Sequence, residues 1–268
     1  MKKSIMIAAA LGALVIAGVA YAASINTYTA TLSFSGKKAG TAAKPVPVGY
    51  TQNIVAKSTT AGNRTAVLTD ITTKIYGLKA DGKDFPTCSA TSIATNGDDT
   101  KCPKGALVAT GSITAAVGPT SDFSTAAGVA CDPLLHVWNS GQGKLTFFFV
   151  DQAPNHECLN GNLKTGQVGP YPATYKTQGK YLVVDVPVPH YVSFPAPGQA
   201  GSLETEHLKW LKVTKKVKGK TVAASASVAC LKGKRPYTTT FTANQPASTG
   251  APGPNEVDTV KASAPCSK

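Results

Sequence analysis

The chain has 268 residues, 27 of them Lys or Arg against 14 Asp or Glu, which gives a net charge of +13. That length allows a sizeable core and lies within the range that an all-β protein fills as one domain. The charge suits an exported protein that meets anionic surfaces, while only four glutamates, all beyond residue 150, leave little material for acid-rich sites.

Residues 1–22 read as a secretory signal peptide. Lys2 and Lys3 form a charged start, an apolar run extends from Ile5 to Ala20, and Ala20-Tyr21-Ala22 supplies a small-x-small cleavage site. The run is shorter than the roughly 20 residues a membrane span needs. No other stretch is apolar for long enough, so the chain from residue 23 to 268 is expected to be secreted and not to span a membrane.

The next segment, "INTYTATLSFSG", alternates Tyr28, Ala30, Leu32 and Phe34 with Thr27, Thr29, Thr31 and Ser33. A period of two with β-formers on both faces predicts a half-buried strand. Val48, Tyr50, Ile54 and Ala56 predict a second, "AVLTDITTKIYG" a third and "ALVATGSITAAV" a fourth. The run "LLHVWNSGQGKLTFFFV" predicts a hairpin around Ser140 to Gly143, its second arm buried on both faces at Phe147, Phe148 and Phe149. In "KYLVVDVPVPHYV", Pro187 and Pro189 lack donors and predict an edge or a strand end. A lysine-rich hairpin follows, turning near Lys218-Gly219, and then a last β-run, "PYTTTFTAN". Helix signals are confined to Ser89–Ala94, with Ser89 as amino-cap.

About ten short strands set off by Gly, Pro, Asn and Asp predict an all-β fold. The architecture expected is a two-sheet antiparallel β-sandwich, Ig-like or jelly-roll-like, spanning residues 23–268 as a single domain. Residues 244–258, "NQPASTGAPGPNEVD", read as a flexible Pro/Gly-rich loop within it.

All six cysteines, Cys88, Cys102, Cys131, Cys158, Cys230 and Cys266, follow the cleavage site. An even number in an exported chain predicts disulfides, and the absence of any C-x-x-C pair argues against zinc. Six cysteines allow many connectivities. The sequential one, Cys88–Cys102, Cys131–Cys158 and Cys230–Cys266, closes three modest loops, each adding roughly 3–4 kcal/mol in the chain-entropy model.

Candidate chemistry is sparse. Asp98-Asp99 lacks the alternating oxygen ligands of a calcium loop, and an Asn-Gly turn inside a stapled loop accounts for it. The four histidines, His136, His156, His190 and His207, include no H-E-x-x-H pair. Ser140 is no nucleophile elbow, since no G-x-S-x-G occurs. A glycosidase would draw its two carboxylates from Asp151, Asp185, Glu204 and Glu206; the last two share a parity and are expected on one strand face. No catalytic residue, metal site or cofactor is assigned. The strongest electrostatic feature is the hairpin carrying Lys212, Lys216, Lys218 and Lys220, followed by Lys232, Lys234 and Arg235. Lys212, Lys216 and Lys218 share a parity opposite to Leu211, Val213 and Val217, so one face packs and the other presents cations. That face is an anionic-ligand patch or a device that protects a sheet edge from aggregation. Nucleic acid is not an expected partner, because only Trp210 and Tyr237 are near enough to stack bases.

The motifs "FPTC", "CPKGALVATGS", "HVWNSGQGKLTFFFV" and the late "VAC…PC" together resemble a loosely defined group of secreted actinobacterial proteins of unknown function, with an F-P-x-C…C-P-x-G cysteine frame. Ala109-Thr110-Gly111 and Trp138-Asn139-Ser140 depart from that pattern, and Cys131 and Cys158 stand as an added pair. The resemblance implies export and a β fold, and no activity. The function expected is therefore a secreted, non-enzymatic structural or binding module at the cell surface, contacting an anionic cell-wall polymer or acidic glycan through the lysine hairpin. The alternative is an extracellular hydrolase of polysaccharide or ester substrates.

Overall fold

The computed structural model describes residues 25–150, 169–246 and 252–267. The expected signal peptide, Asp151, His156 and Cys158 lie outside the described residues. The strands are β1 (Asn26–Phe34), β2 (Val46–Pro47), β3 (Tyr50–Ser58), β4 (Val67–Tyr76), β5 (Leu78–Ala80), β6 (Leu107–Pro119), β7 (Val129–Ala130), β8 (Leu134–Asn139) and β9 (Lys144–Val150). Then come β10 (Tyr171–Gln178), β11 (Tyr181–Pro187), β12 (Gln199–Trp210), β13 (Thr214–Val217), β14 (Lys220–Ala223), β15 (Ser225–Ser227), β16 (Lys234–Pro246) and β17 (Pro252–Pro265). Among the described residues two short helices join them, α1 (Ala90–Asn96) and α2 (His190–Ser193).

Period-two burial governs the first strand. Asn26, Tyr28, Ala30 and Leu32 are buried, and the threonines between them are exposed. Tyr28 stacks on Phe241 with ring centroids 4.2 Å apart. In β9 both faces are covered. Phe147 and Phe149 join the main core, while Phe148 packs outside it with Ile93 of α1, Trp138 and Cys88. Ser89 caps α1 by accepting from the Ser92 N–H at 3.1 Å, and Gly97 ends the helix in the left-handed region at φ 80°.

The fold is all-β and antiparallel, and its main sheet is a near-barrel and not clearly the expected two-sheet sandwich. One twelve-stranded sheet runs β1-β3-β12-β6-β8-β9-β10-β11-β4-β16-β17, with β7 on β6. Its end strands meet, giving a near-barrel. The Glu256 carboxylate of β17 accepts the backbone N–H of Ile25 at 3.0 Å and of Asn26 at 3.2 Å, and the Leu32 N–H donates to the Tyr237 hydroxyl at 3.1 Å. Strand curvature makes this closure possible. Bulges interrupt the β12–β6 and β6–β8 ladders at Leu203/Thr205 and Leu107/Ala109, and bulges bend and twist a sheet. Gly111 adds a close approach, since a Cβ there would fall 2.0 Å from the His207 carbonyl oxygen. Strand number and alternation are the same for a sandwich and a closing sheet, so the sequence could not separate them.

One further expectation is resolved and another is corrected. Strand β11 is central, between β10 and β4, so Pro187 marks a strand end and not an edge. The loop expected over 244–258 is largely strand: β16 reaches Pro246, β17 starts at Pro252, and the two pair from Lys234↔Pro265 to Pro246↔Pro252. Backbone pairing and not apolar alternation carries β17, whose residues from Asn255 to Ser263 are exposed or half-exposed.

Cys88–Cys102 and Cys230–Cys266 are disulfides with Cα–Cα distances of 5.5 and 5.9 Å, as the sequential pairing predicts. Cys131 is also disulfide-bonded, and the cysteine expected to pair with it, Cys158, lies outside the described residues. Among the described residues no helix is long and apolar enough to cross a membrane.

Candidate functional site

The lysine hairpin is a two-stranded ribbon of its own, β13 against β14. Val217 pairs with Lys220 across a two-residue turn in which Lys218 and Gly219 have φ of 49° and 77°. Positive φ at both central residues matches the twist that hairpins favour. The ribbon is tied to the body by Val213 and Val222, which pack on the main core, and by Lys215 Nζ, which donates to the Asp84 carbonyl.

Lys212, Lys215, Lys216, Lys218 and Lys220 are all exposed. None has a carboxylate partner among the described residues, and no acid occurs between Leu208 and Arg235 in the sequence. The ladder places Lys216 opposite Thr221, and Lys220 opposite Val217. Directly opposed residues share a face, so Lys216 and Lys220 project from opposite faces, with Lys218 at the tip. Arg235 does not belong with these surface cations. It is fully buried, stacked over the Phe34 ring at 4.2 Å and donating to the Ser227 hydroxyl at 2.5 Å, and burial lowers its pKa. Trp210 and Tyr237 are buried as well.

The stapled loop holds an arrangement that spacing alone does not reveal. Asp98 is the expected turn residue: it accepts from the Thr100 hydroxyl at 2.7 Å and the Thr100 N–H at 2.9 Å. Those bonds hold its carboxyl below the usual range. Asp99 instead turns inward and is 9% exposed. Its Oδ2 lies 2.6 Å from His136 Nδ1 and accepts from Trp138 Nε1 at 3.0 Å. His136 and Trp138 stand on the outer face of β8, so Asp99 clasps the disulfide loop onto the sheet. An Asp–His pair is also two-thirds of a hydrolytic relay, but no hydroxyl or thiol of the described residues bonds the other His136 nitrogen. Ser140 donates to the Cys88 carbonyl at 3.0 Å and so fastens the β8–β9 turn to the same staple.

The remaining candidates are dispersed. His207 Nδ1 lies 2.6 Å from Asn53 Oδ1 on the exposed side of the sheet, and His190 stacks on Phe194 at 4.7 Å. The Thr72 hydroxyl lies 2.9 Å from Asp70 and 2.8 Å from Asp185. Burial, with the Asp185 charge as a smaller cause, raises the Asp70 pKa. Glu204 and Glu206 do not share a face. The bulge falls on Glu204, which is exposed, and shifts the ladder so that Glu206 enters the barrel, where it is 7% exposed. There it accepts from Gln52 Nε2 at 2.9 Å, and burial pushes its pKa up to about 7. Among the described residues no group of three or more His, Cys, Asp and Glu could hold a metal ion.

No family model, curated protein or solved structure matches the chain.

Proposed function

We propose that the chain is an exported, non-enzymatic binding module at the cell surface, and that the β13–β14 ribbon holds an anionic cell-wall polymer or acidic glycan. The observation that carries this reading is the set of exposed lysines on the ribbon with no carboxylate partner. Each is a cation whose counter-charge must come from outside, and a polymer of regularly spaced anions supplies several at once. Export is supported by the signal pattern of residues 1–22 and by the disulfides. Because Lys216 and Lys220 project from opposite faces with Lys218 between them, a bound polymer wraps the tip of the ribbon instead of lying along one side.

Such binding is electrostatic, so it weakens as salt shortens the Debye length from about 10 Å at 0.1 M to about 3 Å at 1 M. Retention on purified cell wall or an acidic glycan at low salt is the test. The protein is expected to be retained, to elute with salt, and to lose retention when Lys212, Lys216 and Lys218 become Ser. Equal retention of the triple variant sinks the reading and leaves edge protection as the role of the lysines. Hydrolysis gains no support from the geometry, since Glu204, Glu206 and Asp185 do not converge on a common cleft with a histidine.

A further inference from the structure

The interior of the near-barrel is not filled. A cavity of about 120 Å³ draws its walls from both buried clusters, with Leu68 and Ile71 on one side and Leu135 and Phe149 on the other. Two polar side chains join this lining with no full set of partners: Glu206, 7% exposed, and Tyr171, 4% exposed. Among the described residues Gln52 is the one hydrogen-bond donor to the Glu206 carboxyl, at 2.9 Å, and none bonds the Tyr171 hydroxyl. The two serines of the lining differ from them. Ser193 donates to the Leu68 carbonyl at 2.9 Å and Ser202 to the Thr65 carbonyl at 2.7 Å.

Glu206 and Tyr171 also line a second void of about 40 Å³ that reaches Val184 and Trp210, so the pair stands where the two spaces meet. The Tyr171 ring is held there by Phe147 and Phe149, at centroid distances of 5.5 and 5.8 Å. The carboxyl is held by β12 between Ile54 and Ile113 of the neighbouring strands. Buried polar groups are ordinarily bonded. Two left short of partners in one apolar cavity mark a place where a ligand's polar atom completes the set.

We propose that this cavity binds a small, neutral, apolar molecule carrying one hydroxyl, an alcohol or phenol of about single-ring size. A hydroxyl both donates and accepts, so it can donate to the unbonded Glu206 oxygen and accept from the Tyr171 hydroxyl. A carboxylate ligand would bring an uncompensated anion into an apolar space beside Glu206, and a hydrocarbon would leave both groups unbonded. The size follows from the volume: an apolar cavity of roughly 150 Å³ accommodates benzene. This site is separate from the lysine ribbon, none of whose residues lines it.

The test is a titration of the full chain with 4-methylphenol and, separately, toluene, followed by NMR of the Leu68, Ile71 and Ile113 methyl groups. The expected result is saturable shifts with 4-methylphenol and about ten-fold weaker binding of toluene, the discrimination of one buried hydrogen bond. Y171F keeps the ring and its stacking, so it should weaken 4-methylphenol about ten-fold and leave toluene unchanged. E206L should do the same, and Y171F decides if E206L does not fold. The proposal is overturned if neither probe gives a saturable shift, if both bind equally, or if Y171F weakens both alike.

Discussion

The ribbon and the barrel interior both carry charge-bearing groups without counter-charges, and they meet that situation in opposite ways. On the ribbon, the lysines are exposed and solvated by water. Inside, Glu206 has Gln52 and little else, and burial shifts it toward the neutral form. An unpaired charge costs little at a surface and a great deal in an apolar space. The difference teaches where to look for function. On the ribbon the uncompensated groups are solvated cations, and in the interior they are hydrogen-bonding atoms in an apolar space.

The largest expected effect lies on the interior side of this comparison. The Glu206 pKa is raised from 4.5 to about 7 in the folded chain, so the unfolded chain releases this proton first. Its contribution is fully present below about pH 4.5, falls as pH rises, and is lost above about pH 7, a change of roughly 3 kcal/mol. E206Q should remove that part of the pH dependence and raise the urea midpoint at pH 8 more than at pH 4. Parallel shifts at both pH values would mean that the carboxyl is not held neutral.

An intermediate effect is expected at Asp99, a buried carboxyl with two good partners. Asp99→Ala strands Trp138 Nε1, so a loss of about 2 kcal/mol is expected. Urea unfolding measures it, and a loss below about 0.5 kcal/mol would show that the clasp adds little to the staple. The smallest effect belongs to the ribbon. Exchanging Lys212, Lys216 and Lys218 for Ser should change stability by about 0.5 kcal/mol at most, even as retention on an acidic glycan is lost. A large change in the melting profile would show the lysines to be structural after all.

What was legible in the sequence was local. The alternation of Tyr28, Ala30 and Leu32 gave β1 its buried face, Lys218-Gly219 marked the ribbon turn, and Ser89 marked the start of α1. The Cys88–Cys102 and Cys230–Cys266 pairs also followed from order along the chain. The features that the sequence did not reveal depend on distant partners or on one-residue irregularities. Asp99 meets His136 across 37 residues, and Glu256 closes the sheet on Asn26 across 230. Glu206 enters the interior only because a bulge at Glu204 breaks the strict alternation. Strand β17 was missed because most of it is exposed and it shows no apolar stripe.

The contact between β1 and β17 has a dynamic consequence. Every other junction in the main sheet is a backbone ladder, while this one is made by the Glu256 carboxylate and by packing, with Leu32 also bonding the Tyr237 hydroxyl of β16, one strand further in. Side-chain bonds can break one at a time, whereas a ladder opens as a unit. This seam is therefore where the barrel is expected to open first, and the β1 amides that face β17 should exchange with solvent before those of β12, which is laddered on both sides.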